Sequence, residues 1–440
     1  MEHSISREEI DTGTAKKKGH YYRGFLLHLH PRKVSAETLR FFLSFGLGGM
    51  SATLLLLLFI TGVLQILSYD SDATGAYNSI NIMYENASLS GWTRNIHYWS
   101  GNLLVIIALL HCCRVFLTGA IAGGRRNMNW FIGLLLLGLV LFSNFTGYLL
   151  PWDQLAFWAV TIFTSMLGYI PIIGESVVHL LRGGPEIGPT TLANFYAIHT
   201  GILPFCFVVV VFYHFWLVRK SGGLVRREGG QKTAPQFVSA VPDLIVREAA
   251  VGFILIALVL LFAAVVDAPL AEMANPAMSP NPAKAAWYFL GFQELLMHLH
   301  PIYAILVLPS LLFLCILLLP FWREASLPPG LWFGGRRGRR LALWSCLTGS
   351  VTTFAAVLFD EAVKTAGTAT ATDSITRGLL PTIVIFIIYA SGYFILTAAL
   401  RFTKAQTVMA GFIVTLTSVC CLTFIAIWLR GPGMKLMLPF

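Results

Sequence analysis

Apolar residues run through this chain in long blocks separated by short polar intervals. Blocks at about 41–67, 97–121, 129–150, 195–218, 245–266, 302–322, 341–359, 379–400 and 407–429 are each long enough for a bilayer-crossing helix, which needs about 20 mainly apolar residues. The pattern predicts about nine spans. A tenth block, Leu155 to Ile173, is equally apolar but is punctuated by Pro151, Gly168, Pro171 and Gly174. Charge decides its placement. With nine spans and the N-terminus inside, the inner segments carry 23 of the 31 Lys and Arg residues, the bias expected of cytoplasmic loops. A tenth span would turn the basic segment 219–248 outward, so the block is expected to lie on the outer surface as one or two short helices. The first 24 residues are polar and lack the basic-then-apolar pattern of a cleaved signal, so the first span is expected to direct insertion. Residues 25–40 mix apolar and basic positions and predict an interfacial segment, with His28 and His30 in it. His3 and His20 are expected to be solvated.

Composition sharpens this to an all-α polytopic membrane protein. The chain is 56% hydrophobic and 12% charged with a mean hydropathy of +0.72, which excludes a soluble domain. The net charge of +10 is mostly the topology signal just described, so nucleic acid is not an expected partner. All seven cysteines lie in apolar runs, with no CxxC, no CxxCH and no Cys/His cluster of zinc spacing. A disulfide frame, a zinc site and a covalent c-type haem are therefore not expected.

Four histidines stand out within the apolar blocks. His97 and His111 are fourteen residues apart in RNIHYWSGNLLVIIALLHCCR, a spacing that returns to within roughly 40° on a helix, about 21 Å further along. His199 and His214 are fifteen apart in the fourth block, about 60° round and about 22 Å along. If the two spans run in opposite directions, His97 faces His199 on the outer side and His111 faces His214 on the inner side. Two bis-imidazole sites in a four-helix core suit haem iron, with the two irons about 20 Å apart. Gly48 and Gly62 in the first block, and Gly133 and Gly147 in the third, repeat the fourteen-residue period. They are expected to clear space for a macrocycle, beyond ordinary small-residue packing. Arg94 and Arg114 flank the histidine pair and could meet haem propionates or simply snorkel.

These histidines, the paired glycines and TGYLLPWDQLAFWAV resemble the cytochrome b family of quinol:cytochrome c oxidoreductases. LLRGGPEIGPTTLANFYAIHT looks closest to the bf-type cytochrome b. The likeness spans about residues 30–220, and 240–360 look similar to the second subunit of those complexes, here fused. With residues 1–40 read as a cytoplasmic or interfacial segment, the resemblance implies a di-haem core over 41–220 with surface helices at 151–190. A three-helix domain over 241–360 would complete a quinol site, followed by two unassigned spans over 379–440. It implies two non-covalent b-type haems held by His97, His199, His111 and His214, and an outer quinol pocket with Tyr148, Pro151, Trp152 and Phe157 on one side. The other side carries the family's Pro-Glu-Trp-Tyr motif, which here reads Ala285, Ala286, Trp287, Tyr288. The usual carboxylate is missing. Glu294 is the nearest acid in sequence and, seven residues on, would share a helical face with Trp287; Asp267 and Glu272 are rivals. Gly46 stands where bf-type subunits carry a cysteine, so no extra covalent haem is expected. Arg219 and Lys220 would serve a propionate or topology equally well. His298 and His300 could relay protons or contact a partner but fit a plain interfacial role better, as does His179. The implied partners are a Rieske-type iron–sulfur protein, a c-type cytochrome subunit, quinone and membrane lipid. The complex would be dimeric, in a bacterial-type inner membrane with the N-terminus cytoplasmic. The rival expectation is a di-haem anchor subunit of a dehydrogenase with a single quinone site.

Overall fold

A helix is the one continuous element that satisfies its own backbone in hydrocarbon, and the computed structural model is built accordingly. It describes residues 31–85, 89–121, 123–225, 236–322, 324, 326–365 and 374–437. His3, His20, His28 and His30 fall outside these. Among the described residues nine helices are long and apolar enough to cross a membrane: Leu47–Ile66, Leu89–Leu117, Arg125–Leu149, Pro189–Lys220, Ala240–Val265, Tyr303–Phe321, Arg336–Lys364, Ile375–Ala399 and Lys404–Leu429. They are numbered here as the first to ninth spans. The fourth starts at Pro189, earlier than the hydrophobic block, because the polar turn Pro189–Asn194 is already helical.

The first span packs on the second, the second on the third, and the third on the fourth, with the fifth against the first and second. Leu54, Leu104, Val105, Val140 and Phe207 fill the middle of this bundle. As expected, the punctuated apolar block is not a span: it forms the helices Gln154–Leu167 and Gly174–Arg182. Within the segment expected to be interfacial, Lys33–Ser35 is a short strand paired antiparallel with Phe237–Ser239. The ninth span packs along the seventh and against the short helix Leu290–His298. The eighth has none of its most apolar window buried within the chain.

The PWDQ turn joins the surface helix to the loop after the fifth span. Asp153 caps Gln154–Leu167, its Oδ1 accepting the Ala156 N–H at 2.8 Å, while its Oδ2 accepts the Ala271 N–H at 3.0 Å. Gln154 adds four bonds to the same loop, its backbone N–H donating to the Glu272 carbonyl at 2.8 Å, its Oε1 accepting the Asn275 N–H at 2.6 Å and its Nε2 donating to the Asn275 and Met278 carbonyls. Trp152, just before them, takes a left-handed backbone, φ +53°, costly for a bulky residue and held by its N–H to the Leu149 carbonyl and its carbonyl to the Ala274 N–H. Asp153→Ala removes a cap and strands a buried N–H, so a loss of about 2 kcal/mol is expected, read as a lower midpoint of thermal unfolding in detergent. An unchanged midpoint would show that the turn does not brace the loop.

Candidate functional site

The second and fourth spans bring the four histidines together in two tiers. In the tier expected on the outer side, called the outer tier, the rings of His97 and His199 lie 6.2 Å apart, centre to centre. A metal–imidazole bond of about 2 Å, plus about 1 Å from nitrogen to ring centre, places two axial rings about 6 Å apart. The outer pair therefore has the separation that one shared iron requires. The fifteen-residue offset of His199 and His214 is taken up locally: Ile198–Ile202 is a π-helical turn with His199 inside it, followed by Pro204. A π turn holds one residue more than an α turn, so fifteen intervals act as fourteen and both rings reach the bundle interior.

Hydrogen bonds fix the outer tautomers. Thr61 Oγ1 donates to the Leu57 carbonyl at 2.8 Å, so at 2.9 Å from His97 Nδ1 it accepts that nitrogen's proton. His199 Nδ1 donates to the Ser143 carbonyl at 3.0 Å and lies 3.2 Å from Thr146 Oγ1. Both rings thus keep Nε2 unprotonated and available to a metal. Thr61-Gly62 and Thr146-Gly147 are the same dipeptide in two spans, each supporting one histidine; that repeat in the sequence could have marked both threonines.

The inner pair differs. His111 Nδ1 and His214 Nδ1 are buried with no partner. Both rings line a cavity of about 240 Å³ with Gly48, Gly133, Arg114, Arg126 and Asn129. Arg114 donates through Nε to the Leu43 carbonyl at 3.0 Å, while its Nη2 is buried without a partner. An orphaned guanidinium nitrogen beside two orphaned imidazoles fits an anionic, metal-bearing group. Arg94 is differently engaged, donating through Nη1 to the Ala268 carbonyl and through Nη2 to the Pro269 carbonyl, both at 3.0 Å.

Each of the four glycines faces one histidine. A Cβ at Gly147 would stand 2.6 Å from His199 Cε1, at Gly62 3.3 Å from His97 Cε1, at Gly48 3.2 Å from His111 Cε1 and at Gly133 3.8 Å from His214 Cε1. The glycine period and the histidine period are thus one geometric fact.

Above the outer tier the structure gathers part of the expected pocket. Trp152 and Phe157 are buried and meet edge to face at 5.7 Å, in a cluster with Phe145 and Phe195 that Phe289 and Leu150 join. Phe289, next to Tyr288, stacks on Phe163 at 4.6 Å. Trp287 Nε1 donates to Asn102 Oδ1 at 2.6 Å. The Tyr288 hydroxyl is buried without a partner, and burial, with Tyr148 and Tyr98 as its next electrostatic neighbours, pushes its pKa up. Tyr148 and Pro151 lie at the end of the third span and in the turn after it, both half-buried. The expected shared face of Trp287 and Glu294 is not formed. Trp287–Phe289 is a 3-10 turn that ends before the α-helix Leu290–His298, and the two side chains find different partners. Glu294 is fully buried and forms an ion pair with Arg430 Nη2 at 2.6 Å. Burial alone would raise its pKa, but hydrogen bonds from His298 and Arg430 outweigh this and hold it below the ordinary carboxylate value. Of the rivals, Asp267 Oδ1 accepts from Asn95 at 2.8 Å. Arg430, 136 residues from Glu294, gave no signal in the sequence beyond one more outer basic residue.

Paired imidazoles in two tiers across a four-helix membrane core define a membrane haem protein. Comparison with known proteins agrees. The family description Cytochrome b/b6/petB matches residues 33–222. Over 176 residues the chain is 37% identical to a cytochrome b6 of Prochlorococcus marinus, covering 40% of this chain and 80% of that protein. It is 38% identical to a cytochrome b6 of Acaryochloris marina, covering 81% of that protein. A solved structure titled "Hyperthermophilic respiratory Complex III" shares the fold at a TM-score of 0.66 and 23% identity, over 92% of this chain and 99% of that one. The chain belongs to the cytochrome b/b6 family, and b-type haem is its class of cofactor. Gly147→Val, which would force His199 aside, is expected to lower the b-type haem bound per chain in a pyridine haemochrome assay. Gly138→Val in the same span, where a Cβ meets nothing within 4 Å, should leave it unchanged. Equal haem content in both variants would refute the cradle role of Gly147.

Proposed function

We propose that this chain is the cytochrome b subunit of a quinol-oxidising, bc-type complex. It would hold two b-type haems and work beside a Rieske-type iron–sulfur protein and a c-type cytochrome, in a homodimeric assembly of a bacterial-type inner membrane with the N-terminus cytoplasmic. The observation that carries this reading is the two-tier arrangement, with one imidazole pair at axial-ligand separation and all four rings backed by glycine. When bound, the haems supply one-electron carriage across the bilayer, and quinone supplies the two-electron, two-proton chemistry at either side.

The protein's share is positioning. His97 and His199 would ligate the outer haem, their Nδ1 protons fixed by Thr61 and Ser143; His111 and His214 would ligate the inner one. Arg114 offers its unpartnered nitrogen to an inner propionate, and Arg94 would meet an outer propionate by exchanging the Ala268 and Pro269 carbonyls for it. Tyr148, Pro151, Trp152 and Phe157 on one side, and Trp287 and Tyr288 on the other, would wall the quinol pocket, with the Tyr288 hydroxyl free to bond a quinol oxygen. Glu294 would receive a quinol proton. Residues 241–360 complete this pocket, and the inner cavity near Arg114 and Arg126 stands where quinone reduction is proposed.

Reduced-minus-oxidised spectra of the purified complex should show two b-type haems per chain. His97→Ala and His111→Ala are each expected to remove one, with His97→Ala also abolishing haem reduction by added quinol from the outer side. A single haem, or none, would end the reading. Two haems without a co-purifying iron–sulfur protein would favour the dehydrogenase-anchor alternative.

A further inference from the structure

Below the Trp287–Phe289 turn, the helix Leu290–His298 opens a chain of ionisable groups that runs from a fully buried carboxylate to the surface. Glu294 Oε1 lies 3.0 Å from His298 Nε2. His298 Nδ1 lies 2.6 Å from Asp360 Oδ2, near the end of the seventh span. The side chains are 0%, 11% and 24% exposed in that order, so each step leads outward. Asp360 ends the chain among cations, with Lys364 at 2.7 Å and Arg377 at 3.5 Å. Glu361 stands beside this chain, bonded to Arg430 at 3.0 Å and Lys364 at 3.3 Å. Glu294, His298 and Asp360 come from the region resembling the family's second subunit, Asp360 at its very end; Lys364, Arg377 and Arg430 lie beyond it.

We propose that Glu294, His298 and Asp360 form a proton exit from the outer pocket, resting on the reading of that pocket as a quinol-oxidising site. The imidazole is suited to the task because its two nitrogens face two different carboxylates, Nε2 with the Arg430 guanidinium also 3.3 Å away. A neutral ring donates to one of them at a time; a protonated ring donates to both. A proton that leaves a quinol hydroxyl is taken up by Glu294, passes to His298 Nε2, and displaces the proton on Nδ1 to Asp360, which releases it to water. One O–H bond breaks at the quinol and one proton leaves at Asp360; no electron moves along this path. Arg430 touches no substrate and acts as a positioning residue. It donates to both Glu294 oxygens, through Nε at 3.1 and 3.0 Å, keeping the carboxyl a weak base that hands its proton on. Lys284 is a further cation that senses Glu294. Glu294, with His298 and Asp360 behind it, thus takes up by a different route the task of the carboxylate that Ala286 leaves out.

The test uses the purified complex, with quinol-driven haem reduction followed by stopped flow across pH. His298→Gln and Asp360→Asn should each slow quinol oxidation about a hundredfold, the lower end of what a positioned acid–base group contributes, and reshape its pH profile, with dithionite-reduced haem spectra unchanged. Glu361→Gln, which alters the same charge cluster outside the path, should retain rate and profile within about twofold. Wild-type rates in both path variants would overturn the proposal, and so would equal slowing by Glu361→Gln, which would mean the cluster is only a clamp. A wild-type complex whose haems quinol does not reduce would instead overturn the reading of the pocket, and with it the premise.

Discussion

A ring nitrogen placed in an apolar bundle is costly unless something bonds to it, and the membrane core is arranged around that cost. At the outer tier one nitrogen of each ring is satisfied within the protein, His97 by Thr61 and His199 by Ser143. The remaining nitrogens belong to rings 6.2 Å apart. At the inner tier neither Nδ1 has a protein partner, and a cavity with orphaned Arg114 and Asn129 atoms adjoins both rings. The outer rings are thus oriented by the protein, while the inner rings border a space that suits a charged, flat ligand. Glycine completes the design at both levels. Packing density in a helix bundle leaves little slack, so the 2.6 Å approach of His199 to the position of a Gly147 Cβ leaves no room for any other residue there without moving the ring.

What the sequence makes legible is whatever repeats along a single helix. The nine apolar blocks and the fourteen-residue beat of His97–His111, Gly48–Gly62 and Gly133–Gly147 are one-dimensional signals, and each has its counterpart in the structure. The fifteen-residue interval between His199 and His214 reads as an offset of about 60° on a regular helix; the π turn at Ile198–Ile202 removes most of it, and a π turn has no simple period to announce it. Features made by segments far apart in the chain were hidden for a different reason. The pairing of Lys33–Ser35 with Phe237–Ser239 needs two short stretches with no pattern of their own. Likewise, the helical face expected to carry both Trp287 and Glu294 presumed a continuous α-helix. The 3-10 turn Trp287–Phe289 changes the rotation per residue, and the two side chains part.

The outer side shows how the two unassigned spans enter the molecule. The eighth touches little, but the ninth packs on the seventh and on Leu290–His298, and it ends by placing Arg430 against Glu294 with both side chains wholly inside. A buried ion pair adds little net stability over apolar packing, yet removing one partner costs about 3–5 kcal/mol because the other charge is left uncompensated. That asymmetry makes the contact selective. The end of the ninth span thus stabilises the helix after the Trp287–Tyr288 turn by neutralising Glu294, and the same contact holds the end of the ninth span in place. The segment beyond residue 379 is therefore tied energetically to the wall of the proposed quinol pocket. A chain whose motif carries Ala286 in place of an acid has, eight residues on, an acid held ionised by an arginine from its own C-terminal segment and hydrogen-bonded to His298.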